Sequence, residues 1–261
     1  MGRLIVRQVS MQKDMKLVAA IDSPGNLMEG KDAGLVAGVA KLDVKILGSD
    51  KLGEILRSSK PDVLVDFTVA EASVQDVKVA SKAGVSVVVG TTGFTQQQGK
   101  EMEEAIKRGK IRAVISPNFS VGVNVFFKAA RDAARLLGKD YEPSIVEIHH
   151  VHKKDAPSGT ALRMAEVIAG ALGRDLSRVA VYGRQGTPGE RTRDEIGLLS
   201  LRSGDVVGEH TVTFGNLGER LELTHRAHSR DTFARGAIRA ARFIAGAPPG
   251  LYSMQDVLGL K

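Results

Sequence analysis

Between Val146 and Ile168 the chain reads VEIHHVHKKDAPSGTALRMAEVI. Three histidines and two lysines fall within residues 149–154, just ahead of a helical pattern. Imidazole gives or takes a proton near neutral pH, and an ammonium group attracts an anion. Pro157 disfavours the helical conformation in the residue before it, so Ser158 or Thr160 is placed to cap the helix that follows. The start of such a helix offers unpaired N–H groups and partial positive charge, a seat for a carboxylate or phosphate. Gly159 lets a ligand approach the backbone closely. Together these features suit an anionic substrate that exchanges a proton as it reacts.

Along an extended strand His149 and Lys153 would share one face, and His150 and His152 the other. They converge on one site only if the strand ends near His150. No metal is expected here: the lysines repel a cation, and Glu147 and Asp155 are the only carboxylates nearby. Serine hydrolysis at Ser158 is excluded by the absence of a G-x-S-x-G elbow around it.

The elements that must position these residues change character at mid-chain. In the first half, apolar runs KLVAAID (Lys16–Asp22), PDVLVDFT (Pro61–Thr68), VSVVVG (Val85–Gly90) and IRAVIS (Ile111–Ser116) alternate with helical patterns. One helix stops at Gly84 and another at Gly109. Continuous Val/Ile runs separated by helices predict a doubly wound parallel sheet covered on both faces. A helix from Val121 to Gly138 and a strand SIVEIHH then lead into the opening motif and its helix, about 158–172. Beyond Arg178 four strand-like segments predict a second, α+β domain on a mostly antiparallel sheet. GNLG joins the last two of them as a hairpin. A final helix, RDTFARGAIRAARFIAG, is expected to return to the first domain. The boundaries read 1–120 plus 230–261 for the first domain and 121–229 for the second.

The chain has 261 residues, enough for a sizeable core, and no cysteine, which excludes disulfides, thiol nucleophiles and cysteine-based zinc sites. It has no run of about 18 apolar residues and no signal peptide, so a cytoplasmic protein is expected and no membrane partner. The formal charge of +7 comes from scattered basic groups, and tryptophan is absent. Nucleic-acid binding is therefore not expected, whereas attraction of a small anion is.

In a dinucleotide-binding fold a strand runs into a glycine-rich turn and a helix, with an acid about 20 positions further on to hold the ribose. Here Gly2 opens a helical stretch, and Asp22 follows it by twenty positions at the end of a predicted strand. No G-x-G-x-x-G occurs in the chain. A strand and loop of about a dozen residues are expected upstream of Met1.

The stretch EIHHVHKKDAPSGTA (Glu147–Ala161) resembles the signature of the dihydrodipicolinate reductase family. The likeness extends through VDFT (Val65–Thr68), VGTTGF (Val89–Phe94), SPNFSVGVN (Ser116–Asn124), VGEHTVTF (Val207–Phe214), GERLELTHRAHSRDTFARGA (Gly218–Ala237) and GLYSMQDVLGL (Gly250–Leu260). It implies NAD(P)H-dependent reduction of 4-hydroxy-tetrahydrodipicolinate or dihydrodipicolinate, a cyclic dicarboxylate, to tetrahydrodipicolinate in lysine and diaminopimelate biosynthesis. It implies that residues 1–120 plus 230–261 form a Rossmann-like dinucleotide-binding domain, and that 121–229 form a substrate-binding and oligomerisation domain whose sheets assemble a homotetramer. By the family pattern His149 is the general acid or base, Lys153 its companion, and His150, Gly159 and Thr160 hold a substrate carboxylate. The cofactor falls to Met1, Asp22, Gly90, Thr91, Thr92, Pro117, Asn118, Phe119 and Ser120. Asp22 favours NADH by repelling a 2′-phosphate.

Of the family's glycine-rich loop only Met1 and Gly2 are present. Ser23 stands where a basic residue is usual, and RSGD (Arg202–Asp205) departs from the family with little consequence expected. The alternatives are a binding protein that keeps the substrate pocket without a cofactor, and another nicotinamide dehydrogenase of the same two-domain plan.

Overall fold

Valine and isoleucine runs become strands, where branched side chains pack well on a pleated surface, and amphipathic alanine-rich stretches become helices. The computed structural model describes residues Met1–Leu260. Its first half runs α1 (Gly2–Ser10), β1 (Ala20–Asp22), α2 (Ala33–Val36), β2 (Ile46–Gly48), α3 (Leu52–Ser59), β3 (Val63–Asp66), α4 (Ala70–Ala83), β4 (Ser86–Val89), α5 (Gln96–Gly109) and β5 (Arg112–Ile115). There follow α6 (Val121–Leu137), β6 (Glu142–His149), α7 (Gly159–Ala171), α8 (Leu176–Val179), β7 (Ala180–Tyr182), β8 (Ile196–Arg202), β9 (Gly208–Asn216) and β10 (Glu219–Ala227). The chain closes with α9 (Asp231–Gly246), β11 (Gly250–Tyr252) and α10 (Met254–Leu258). It divides into two compact units: Met1–Val121 with the stretch from Asp231 onward, and Gly122–Arg230. No helix among the described residues is long and apolar enough to cross a membrane.

In the first unit a four-stranded parallel sheet runs in the order β11-β5-β4-β3. Every residue of β4 is buried, as a strand covered on both faces must be. Val87 and Val89 pack with α3, α4 and α5 on one face. Val88 and Val114 pack with α9 and α10 on the other. This is the doubly wound arrangement that the alternating pattern predicts.

β1 and β2 form a separate parallel pair, Ala20↔Ile46 to Asp22↔Gly48. Only Ala20–Asp22 of the predicted Lys16–Asp22 strand is extended, because β2 supplies partners for those residues alone. Between the edges of β1 and β3 lies a cavity of about 1030 Å³, lined by Ala20–Asp22, Val63–Val65 and residues of α1 and α9. Those edges make no main-chain pairing with each other.

The second unit holds a five-stranded sheet, β10-β9-β6-β8-β7. It is mixed, where the sequence pattern suggests a mostly antiparallel one. β6 and β9, and β9 and β10, are antiparallel, whereas β6 and β8, and β8 and β7, are parallel. The crossover through α7 brings the chain back in its original direction, which a tight hairpin cannot do. GNLG does make a hairpin: Asn216 pairs with Glu219 around Leu217 and Gly218, the latter at φ 88°. One sheet face packs on α6 and α7 through Ile145, Ile196, Leu198, Val212 and Phe214. The other carries Val146, Ile148, Leu199 and Leu201, half-buried or exposed.

Candidate active site

The inward row of β6 begins apolar, with Pro143 and Ile145, and ends polar, with Glu147 and His149. Glu147 has no solvent exposure and is the hub of the site. Its two oxygens accept from Arg202 Nη1 and Nη2 at 3.0 and 3.1 Å, a bidentate pair. The Ser158 backbone N–H donates to it at 3.1 Å, and His149 Nδ1 lies 2.5 Å away. Strand pairing assembles this hub: His149 stands opposite Arg202 on β8, and Glu147 opposite His210 on β9.

Ser158 is the N-cap of α7; its Oγ accepts from Ala161 N at 3.1 Å and lies 3.0 Å from His210 Nε2. The His149 and His210 rings meet edge to face with centroids 5.1 Å apart. Gly208, beside them, leaves the space that the His149 ring uses, since a Cβ there would stand 3.0 Å from Nε2.

β6 ends at His149, so the histidines and lysines do not alternate along a strand. The chain turns instead, with Lys153 N bonded to His150 O at 3.1 Å, and the turn is tied to the neighbouring 203–204 turn. Val151 N bonds Gly204 O and Ser203 N bonds His149 O. Lys153 Nζ sits 2.8 Å from each Asp155 carboxylate oxygen. His150 lies on this turn with its ring centroid 6.2 Å from that of His152, and takes no part in the hydrogen bonds of Glu147. Gly159 and Thr160 form the first residues of α7, and the space where a Gly159 Cβ would stand is open.

Burial works against the charge on Glu147, yet Arg202, His149, Ser200 and the Ser158 N–H hold its carboxyl below the usual range. His149 is held below its ordinary value by burial, with the charges of Lys153 and Arg202 adding to this; Glu147 opposes the shift. His210 is pushed down to about 3, by burial first and by the neighbouring His149 second. It is therefore neutral, and it shares one hydrogen bond with the Ser158 hydroxyl through Nε2, the donor being set by its tautomer. Lys153 holds the Asp155 carboxyl below its ordinary value.

The residues that sequence reading assigns to a cofactor lie in the first unit. Met1 caps α1 without a side-chain bond, leaving the first N–H groups of that helix open. Gly2 and Arg3 of α1 line the same cavity as Asp22. Asp22 ends β1 exposed, with Oδ1 accepting from Ser23 N at 2.8 Å. A carboxylate at a strand tip and an open helix start along one cavity wall fit the ribose and phosphates of a dinucleotide.

Gly90 follows β4, and a Cβ there would fall 2.2 Å from the Phe67 ring. Thr91 is buried with its hydroxyl 3.4 Å from Asp66 Oδ1, whereas Thr92 is exposed. After β5, Asn118 Oδ1 accepts from Ser120 N at 2.8 Å, and Pro117 is exposed. The Phe119 ring is buried against Phe67, centroids 5.5 Å apart, so its side chain serves the core and only its backbone remains for a ligand.

In the sequence Glu147 stands out only as a carboxylate beside the histidines, Arg202 only as part of a departure from the family, and Gly208 and His210 only within the VGEHTVTF likeness, with no role of their own. The available signal was a glutamate and a histidine at i and i+2 on one strand face, which puts them side by side.

Two family models match: "Dihydrodipicolinate reductase, N-terminus" over residues 1–119 and "Dihydrodipicolinate reductase, C-terminus" over 122–258. The 4-hydroxy-tetrahydrodipicolinate reductase of Methanothermobacter thermautotrophicus is 53% identical over 261 residues, covering 100% of this chain and 95% of the relative. That of Methanocaldococcus jannaschii is 52% identical over 260 residues, with 100% and 94% covered. Among solved structures, dipicolinate-bound dihydrodipicolinate reductase from Paenisporosarcina sp. TG-14 superposes with a TM-score of 0.75 at 26% identity. That likeness covers 98% of this chain and 94% of the other.

Proposed function

The chain belongs to the dihydrodipicolinate reductase family, and from that premise we propose that it reduces 4-hydroxy-tetrahydrodipicolinate or dihydrodipicolinate to tetrahydrodipicolinate, a step toward diaminopimelate and lysine. The cofactor is a pyridine nucleotide, which supplies the hydride when bound. We take Asp22, Met1, Gly90–Thr92 and Pro117–Ser120 to hold it in a first unit that serves as the dinucleotide-binding domain. Asp22 favours NADH, because its exposed carboxylate accepts from ribose hydroxyls and repels a 2′-phosphate.

The second unit supplies the proton and grips the diacid. His149 transfers the proton. Lys153, close enough to act on the His149 charge, adds positive potential for an anionic ring. The open amides at the start of α7, with Thr160 and His150, receive a carboxylate. The observation that carries this reading is the buried Glu147–His149 pair beside the Ser158-capped start of α7, with Lys153 on the adjoining turn.

His149→Gln and Lys153→Ala are expected to lower turnover by about two to four decades, the usual loss with an acid–base group. NADH absorbance reports turnover, and calorimetric titration with NADH and NADPH should show cofactor binding unchanged. Full activity in both variants removes these residues from the reaction. A chain that binds neither nucleotide would be a ligand-binding protein instead.

We also read the sheet face bearing Val146, Ile148, Leu199 and Leu201 as a self-association surface, in keeping with a homotetramer. A cytoplasmic location suits a biosynthetic enzyme that draws on the nicotinamide pool.

A further inference from the structure

Every group that reaches Glu147 is a donor or can be one. The guanidinium of Arg202 gives two N–H bonds, the Ser158 backbone gives one, and His149 presents Nδ1 at 2.5 Å. The Ser200 side chain bonds it as well, and its hydroxyl can donate; an ionised carboxylate accepts from all of these and has no proton to return. A bare Nδ1 would set its lone pair against a carboxylate lone pair, so Nδ1 carries the hydrogen. Nε2 is then the nitrogen left over. It makes no hydrogen bond among the described residues, and Gly208 supplies the room in front of it.

Arg202 does more than neutralise Glu147: its Nη2 also donates to Asp155 O at 2.6 Å, which ties the carboxylate to the turn carrying Lys153. The charged and titratable groups facing the His149 ring are Glu147 from its own strand, Arg202 from β8, His210 from β9 and Lys153 from the turn.

We propose that Glu147, kept ionised by Arg202, is a positioning residue that fixes His149 in its Nδ1–H tautomer and presents Nε2 as the atom through which the reaction's proton passes. This rests on the assignment of His149 as the proton-transfer group and adds which nitrogen acts and what selects it. In the transfer, the imidazolium gives its Nε2 proton to the substrate ring atom and remains as neutral Nδ1–H imidazole. Water restores the proton, and Glu147 neither gains nor loses one.

Glu147→Gln separates charge from shape. The carboxamide has one acceptor oxygen: facing Ser158 N–H and Arg202 Nη2 it leaves the NH₂ against Arg202 Nη1 alone, whereas the reverse orientation sets the NH₂ against both Ser158 N–H and Arg202 Nη2, so the first is favoured. The NH₂ group must then face His149 and donate to Nδ1, which moves the histidine hydrogen to Nε2.

The test is long-range ¹H–¹⁵N NMR of histidine-labelled protein, read at neutral pH. The native chain is expected to show His149 as Nδ1–H, the Glu147→Gln variant as Nε2–H, and Glu147→Asp as Nδ1–H again. With the wrong tautomer, kcat should fall by about 10²- to 10⁴-fold. Its alkaline limb should move to lower pH as the stabilising charge is lost. A native Nε2–H tautomer overturns the proposal without any variant, and so does Nδ1–H persisting in Glu147→Gln. Full activity in His149→Gln would instead sink the assignment of His149, while the tautomer result would stand or fall separately.

Discussion

A buried histidine records its surroundings in the pH dependence of stability. His210 falls to about 3 in the folded state against an ordinary 6.5, so the unfolded chain binds the proton more readily. Its contribution is present in full above pH about 6.5 and is lost as pH falls toward 3, at up to about 1.4 kcal/mol per pH unit. Asp76 works in the opposite sense. Burial first and Asp66 second raise it to about 6, so its contribution is present below its unfolded value of 3.8 and is lost as pH rises through 6. Between pH 4 and 6 the two slopes oppose each other. Denaturant titrations of Asp76→Asn over that range should therefore show a steeper acid loss than the native chain, and His210→Gln a shallower one. Equal slopes in all three proteins would mean that neither group is perturbed. At this scale the sequence displayed His149 and Lys153, because they crowd into one stretch. Glu147's partners were hidden by distance along the chain: Arg202 and His210 come from β8 and β9, and only strand register sets them opposite His149 and Glu147.

Elements were legible where local chemistry ends them. Gly84 stops α4 in the left-handed conformation, and Ser158 caps α7 by its side chain. The length of β1 and the direction of β7 and β8 were not, because both depend on which neighbour a strand finds and not on its own period. Docking of α9 hangs on one such neighbour. It packs on the face of the four-stranded sheet, and Gly236 meets the Phe119 carbonyl so closely that a Cβ would stand 1.7 Å from that oxygen. Gly236→Ala must push the helix or the 117–120 segment away. A loss of at least about 1–3 kcal/mol is expected, the common cost of overpacking, and thermal unfolding should show it as a lower Tm. An unchanged Tm would mean that the helix and loop separate freely.

For the molecule as a whole, the two-unit division follows from a change of pattern that any reader of the chain meets after Ser120. The open face of the second sheet was invisible, since alternation says which residues share a face but not whether a layer covers it. Leu199 and Leu201 are 46% and 42% exposed at alternate positions of β8, on its outward row, next to Val146 and Ile148. If that face joins copies of the chain, Leu199→Arg with Leu201→Arg should lower the mass seen in sedimentation while circular dichroism stays native. A native mass would place the joining surface elsewhere.

The cavity beside β1 and β3 also joins stretches that lie far apart in the chain. Asp22, the opening residues of α1 and Ile238, Ala241 and Ala245 of α9 share its lining, so any one molecule filling it would touch the beginning and the end of the first unit together.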